Sequence, residues 1–147
     1  MANKTASWDF YNSFFEYSNT VMNMDSDTFI FLIVNSTHVF DATDTILSDI
    51  DNELSGNGYS RQTLTHTYTR SGAVGKFDFS DVTISASGGD LTMRRFVIFN
   101  DTVASPVKPL VGSGLLDNAD ADVVLADGND LVYSTPAGGQ FTVQEAA

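Results

Sequence analysis

From residue 28 onward the chain is written mostly in period two. Residues 61–70 alternate strictly, with Leu64, His66 and Tyr68 on one face and Thr63, Thr65, Thr67 and Thr69 on the other. Threonines on a solvated face and larger rings on a covered one describe a half-exposed antiparallel strand. Ser71-Gly72 turns it, and residues 74–79 and 82–86 follow with Phe77, Phe79, Val82 and Ile84 as inward positions. Residues 28–34 form a continuous apolar run between Asp25-Ser26-Asp27 and Asn35-Ser36-Thr37, the pattern of a strand buried on both faces. Further strands are predicted over residues 91–100, 107–116, 122–126, 131–135 and 141–144. They are separated by Ser87-Gly88-Gly89-Asp90, Asp127-Gly128-Asn129-Asp130 and Thr135-Pro136-Ala137-Gly138-Gly139, polar and glycine-rich turn sequences. About eight short strands at turn spacings of roughly ten residues predict a mainly β fold, an antiparallel β-sandwich or jelly-roll-like domain. Phe29, Ile30, Leu32, Phe77, Phe96 and Ile98 are its expected core.

Two stretches change period. Residues 8–23 place Trp8, Tyr11, Phe15 and Met22 on one stripe, flanked by Phe14, Ser18 and Val21 at three- and four-residue spacing, which predicts a helix capped by Thr5 or Ser7. Residues 44–54 set Ile46, Leu47, Ile50 and Leu54 at helical spacing and predict a short second helix, ended by Gly56-Asn57-Gly58, residues that take left-handed backbone geometry at low cost. One compositional style runs through residues 1–147, so the expected organisation is a single β-sandwich domain with residues 1–24 as an N-terminal helical arm.

Composition narrows the functional classes. With 42% apolar and 18% charged residues the 147-residue chain is of globular type, and without cysteine it has neither disulfides nor a thiolate metal site. No apolar leader segment follows Lys4, and the longest apolar run, Phe29 to Val34, is far too short for a membrane span. The expectation is a soluble protein without a signal peptide or membrane partner. The net charge of −12 is uneven: residues 1–60 carry −8, residues 61–108 carry +2, and residues 109–147 carry −6. Acidic ends repel phosphate backbones, which argues against direct nucleic-acid binding. The basic middle block suits an acidic neighbour.

Catalytic chemistry is hard to assemble from these residues. His66 falls on the apolar face of an alternating strand, and His38 lies in a polar loop near Asp41 and Asp44. Neither stands at a motif spacing from a nucleophile, and there is no nucleophile elbow, phosphate-binding loop or zinc-helix motif. Asp117, Asn118, Asp120 and Asp122 alternate like a calcium loop, but counting from Asn118 the sixth and twelfth positions are Val123 and Asn129, where such a loop needs Gly and Glu. No catalytic, cofactor or metal residue is therefore assigned, and a non-enzymatic protein is expected. Arg94 and Arg95 form the one basic doublet; in a strand they face opposite sides, so one is expected in a buried pair or both at an interface with an acidic neighbour. Exposed aromatics for a carbohydrate face are few: Tyr59 beside a Gly turn and Tyr133 in a late strand.

The order of the short motifs carries more information than any one of them. Ser26-Asp27-Thr28 precedes an apolar strand; Gly56-Asn57-Gly58-Tyr59, Ala86-Ser87-Gly88-Gly89, a strand ending in Asp101-Thr102, Pro109-Leu110-Val111-Gly112 and Leu125-Ala126-Asp127-Gly128 follow in turn. This progression resembles a family of small tailed-bacteriophage virion proteins over roughly residues 8–128, and departs from it in the last segment. The resemblance implies a capsid decoration (cement) protein. Such a protein binds the outer surface of the major capsid protein as a homotrimer, is made in the bacterial cytoplasm, and has no cofactor. The alternative from the same resemblance is a tail or baseplate component with a receptor- or glycan-binding face. For contacts with the capsid or within the trimer, the expected residues are Trp8, Tyr11, Phe14, Phe15, Arg94 and Arg95.

Overall fold

The computed structural model describes residues 2–4 and 8–144. The protein is mainly β, with antiparallel sheets and one α-helix. In chain order the elements are β1 (Ala2–Lys4), β2 (Trp8–Phe10), α1 (Phe14–Thr20), β3 (Phe29–Val34), β4 (Gln62–Thr63), β5 (His66–Ser71), β6 (Val74–Phe79) and β7 (Val82–Ser85). They continue with β8 (Leu91–Met93), β9 (Arg95–Asn100), β10 (Leu110–Leu115), β11 (Val123–Leu125), β12 (Asp130–Tyr133) and β13 (Phe141–Gln144). A four-stranded sheet runs β1-β13-β6-β5, a five-stranded sheet runs β2-β10-β9-β3-β4, and β8·β11 and β7·β12 form two ribbons.

The alternation of β3 and β9 builds two cores on opposite faces of the five-stranded sheet. Phe29, Phe31 and Ile33 of β3 join Phe96 and Ile98 of β9 on one face, where they meet Phe77, Phe79 and Phe141 of the four-stranded sheet and Ile84, Met93 and Leu125 of the ribbons. Ile30, Leu32, Val34, Val97 and Phe99 point the other way and are roofed by Phe40, Leu47 and Ile50 from the long loop after β3. The expected burial of β3 on both faces is met, and all six residues named as core are buried.

Neither predicted helix forms as drawn. Residues 8–10 are strand β2, paired to β10 with Trp8 opposite Gly114 and Phe10 opposite Gly112; the helix spans Phe14–Thr20 alone. Period two wins here because the partner strand offers glycine. A Cβ on Gly112 would stand 2.2 Å from the Trp8 ring, so the bare backbone is what lets the indole lie down on β10. The stripe drawn through Phe15 also turns over: Phe14 is fully buried and Phe15 is 44% exposed. In residues 44–54 there is one 3-10 turn, Leu47–Asp49. Its neighbours spend their backbone groups on the sheet, Leu110 N donating to Thr45 O and Leu47 N to Lys108 O, which leaves none for helix propagation. The predicted strand over 91–100 breaks at Arg94, where the chain passes from the β8·β11 ribbon into the five-stranded sheet.

Candidate functional site

Five of the six short motifs, all but Pro109-Leu110-Val111-Gly112, meet in space as two polar clasps. At the first, Asn57 Nδ2 donates to Asp90 O and Ser87 N to Asn57 O, each at 2.9 Å. Asp127 N donates to Asp90 Oδ1 at 2.9 Å, Gly88 N to Asp127 Oδ1 and Gly128 N to Ala86 O, both at 2.8 Å. Three turns drawn from residues 56–59, 86–90 and 125–128 are thereby locked to one another. At the second, the buried Asn100 donates to Asp27 Oδ2 at 2.7 Å and accepts from Thr102 N and Val103 N. Asp27 also accepts from Asn23 N, while Thr28 N donates to Thr102 Oγ1. These residues position the ends of β3, β8, β9 and β11; they are scaffold.

Tyr59 ties the first clasp to the core strand. Ile33 N donates to the Tyr59 hydroxyl, which donates to Glu53 Oε2 at 2.8 Å, and Arg61 closes a two-point pair with the same carboxylate. Burial pushes the Tyr59 phenol up. Burial also opposes the charge on Glu53, yet the bonds from Arg61 and Tyr59 outweigh it and hold the carboxyl below its ordinary 4.5. A folded-state value below the unfolded one means that the carboxylate stabilises the fold above the unfolded pKa and that this contribution is lost as pH falls through the folded one. Glu53→Gln is therefore expected to cost about 2 kcal/mol at neutral pH. The gap to wild type should close below about pH 4. Urea unfolding of both proteins across that range checks it.

The contact residues named from sequence separate into two groups. Trp8, Tyr11 and Phe14 are fully buried within the chain's own core; the Trp8 ring stacks on Phe141 at 5.5 Å, and Phe10 on Phe14 at 5.2 Å. Only Phe15 of the four reaches the surface. Arg94, in the break between β8 and β9, and Arg95, the first residue of β9, face different partners. Arg94 holds Asp122 at 2.9 Å and Asp120 at 3.1 Å, and Arg95 holds Asp9 at 3.1 Å and Ser113 at 3.0 Å while lying over the Phe40 ring. Both arginines border a hollow of about 250 Å³ with Ser36, His38, Val39, Phe40 and Asp120. His38 lies on its floor, its Nδ1 2.6 Å from Asp51 Oδ1 and its Nε2 sealed from solvent without a partner. That bond holds the Asp51 carboxyl below the usual range. Arg94, Arg95 and His38 each already have a carboxylate of this chain, and no serine or threonine hydroxyl is bonded to His38 Nε2.

His66 is held in the other layer, stacked on Phe77 at 5.1 Å with Nε2 3.0 Å from Met24 O. The acidic loop after β10 is spent on turns and on Arg94: Asp117 accepts from Ala119 N, and Asp120 and Asp122 accept from the guanidinium. Among the described residues no group of three or more His, Asp or Glu side chains is placed to hold a metal ion.

A further concavity was not foreseen from sequence. A groove of about 670 Å³ opens where the inner face of the four-stranded sheet runs out beyond the core under α1. Phe15, Met22, Met24, Tyr68 and Val143 give it apolar walls, and Asn19, Asp25 and Arg70 give it polar ones. Its floor is Gly75, over which the Tyr68 ring lies so closely that a Cβ there would fall 1.9 Å from the hydroxyl. The volume is in the range of small-ligand and peptide sites. The single signal in the sequence was a glycine at an inward position of β6 beside an aromatic of β5. Comparisons with known protein families, with curated proteins and with solved structures return no match to this chain.

Proposed function

We propose that the protein is a non-enzymatic structural component of a tailed-bacteriophage particle, a capsid decoration protein that binds the outer surface of the major capsid protein as a homotrimer. The observation that carries this reading is the convergence of the motifs. Segments scattered over residues 26–128 in the order of the virion-protein family close on one another through hydrogen bonds in two clasps. Turns that interlock are required together by one fold, so the shared order of these five motifs supports common architecture, jelly-roll-like in the finer reading, more strongly than five independent short matches could. Cementing a shell needs a rigid body and a contact face, and no reacting groups. The net charge of −12 keeps unbound copies dispersed.

Within this proposal the contact face is Phe15 and the surface around it, since Trp8, Tyr11 and Phe14 are core. A tail or baseplate role is the second reading. It is favoured by the groove that combines Phe15 and Tyr68 with the carboxylate of Asp25, the aromatic-and-acid combination of a glycan-binding face. The deciding experiment adds the purified protein to capsids stripped of their decoration. Saturation at one trimer per three-fold position, reduced at least about tenfold in affinity by Phe15→Ser, is the expected result. A protein that stays monomeric and ignores capsids, yet binds host surface polysaccharide, would transfer the assignment to the tail.

A further inference from the structure

One wall of the groove under α1 is the turn that follows the helix, and the fold holds that turn in place. Asp25 N and Ser26 N both donate to Asn23 Oδ1 at 3.1 Å. Asn23 N donates to Asp27 Oδ2 of the second clasp at 2.8 Å, and His66 Nε2 lies 3.0 Å from Met24 O. Met22, Met24 and Asp25 therefore meet the groove from a fixed backbone, beside the half-exposed ring of Phe15.

Most polar side chains that line the groove are spent within the chain. Ser18 Oγ and Asn19 Nδ2 donate to Phe15 O, Asn23 serves the turn, and Arg70 and Gln144 already have interactions of their own. Asp25 differs: it is exposed, and among the described residues no cation is bonded to its carboxylate. The helix with its turn, and β13, belong to stretches without lysine or arginine, residues 5–60 and 109–147, in a chain of net charge −12. An anionic ligand is opposed here by Asp25 and by the field of the whole protein, and a cationic one is drawn by both. The remaining walls, Phe15, Met22, Met24, Tyr68 and Val143, are apolar, and methionine adapts to apolar side chains of varied shape.

We propose that the groove seats a segment of a partner protein in which apolar side chains stand next to lysine or arginine. The apolar side chains enter beside Phe15, Met22 and Tyr68, and the cation rests on Asp25. The volume of about 670 Å³ suits a short stretch of peptide. A second copy of this chain is a poor occupant, since two bodies of charge −12 repel. The inference rests on the reading of Phe15 as the contact face and names the chemistry that meets it.

The probes are three fluorescent peptides of about eight alternating residues, of leucine and lysine, leucine and glutamate, and serine and lysine, titrated with the protein. The leucine–lysine peptide is expected to bind at least about tenfold more tightly than either of the others. Phe15→Ser should weaken it about tenfold and Asp25→Asn about fivefold. Asp130→Asn, the same change in net charge at an exposed position outside the groove, should alter it by less than about twofold. No saturable binding of the leucine–lysine peptide, equal binding of the serine–lysine peptide, or equal weakening by Asp25→Asn and Asp130→Asn overturns the proposal. Binding of host surface polysaccharide that Phe15→Ser and Asp25→Asn abolish also overturns it and makes a glycan the occupant; a dimer mass that Phe15→Ser removes makes it a second copy. On stripped capsids, an affinity lowered by Phe15→Ser but untouched by Asp25→Asn keeps the contact face and overturns the basic segment. A protein that ignores capsids, yet binds the leucine–lysine peptide through Phe15 and Asp25, overturns the capsid reading and upholds the groove.

Discussion

Phe96→Ala is expected to destabilise the protein by about 3–5 kcal/mol, the cost of removing a fully packed ring from a core that cannot collapse around the gap. Phe96 is completely buried in β9 at the centre of the shared core. It stacks on Phe31 with centroids 4.7 Å apart and an interplanar angle of 11°, touches Tyr133 at 4.7 Å, and meets the Trp8 indole at 5.9 Å. The rings around it come from β2 and β3 of the same five-stranded sheet and from β12 of the β7·β12 ribbon, each strand held by its own ladder, so none can move inward without breaking hydrogen bonds. Urea unfolding monitored by the single tryptophan measures the loss, and the midpoint should fall with little change in slope. Phe96→Leu, which restores most of the volume, should recover more than half of it. A loss under about 1 kcal/mol for the alanine variant would mean that the two layers are not rigidly stapled at this ring.

What the sequence made legible follows the range of the forces involved. Strands β6 and β13 were readable to the residue, because their alternation and their flanking turns are local. The two-sided burial of β3 was readable because no polar position interrupts six apolar residues. The front of the chain was not. Trp8 and Phe10 fit a strand and Phe14 fits a helix, and the choice at residues 8–10 was made by β10, more than a hundred residues away, whose Gly112 and Gly114 leave room for large rings. Residues 44–54 show the same effect: Ile46, Leu47 and Ile50 are spaced for a helix and Leu47 and Ile50 do face a core, but the backbone there is bonded to Lys108 and Leu110.

The candidate sites were legible in the same uneven way. The arginine doublet was expected to diverge within one strand; the strand instead breaks at Arg94, and both side chains border one hollow, each held by carboxylates within the chain. The aromatic density of residues 8–15 was visible, but density does not say on which side of the surface the rings lie, and of the four aromatics expected at a contact, Trp8, Tyr11 and Phe14 went inward. The groove under α1 draws on α1, the turn after it, the β5–β6 hairpin and β13. No window of sequence contains it. The motif clasps stand between these cases: each turn was plain, while their mutual hydrogen bonds were not.

Asn100→Ala is expected to cost about 3 kcal/mol, and the reason lies in how many groups one side chain serves. Asn100 is fully buried at the end of β9. Its amide nitrogen donates to Asp27 Oδ2, and its carbonyl accepts from Thr102 N and Val103 N. Alanine leaves a nearly buried carboxylate short of a donor and two backbone N–H groups short of an acceptor, and each such group costs about 1 kcal/mol or more when water cannot replace the partner. Asn100→Asp distinguishes this account from simple loss of volume. It keeps the shape and the acceptor for Thr102 and Val103 but sets a second carboxylate 2.7 Å from Asp27 Oδ2, where the amide stood. Two such groups cannot both ionise in a buried site, so one pKa of the pair is raised above its unfolded value. A raised folded-state value means stability that is present at low pH and lost as pH rises through it. Asn100→Asp should therefore be at least as unstable as Asn100→Ala at neutral pH and regain markedly more stability on acidification, as one carboxyl takes a proton and donates it across the pair. In Asn100→Ala, Asp27 loses one donor, keeps that of Asn23 N and faces no second carboxylate, so its recovery is smaller. Thermal melts of the two variants across the acid range read the difference directly. Parallel pH profiles would show that Asp27 and Asn100 do not share a bond. The clasp would then be a packing contact.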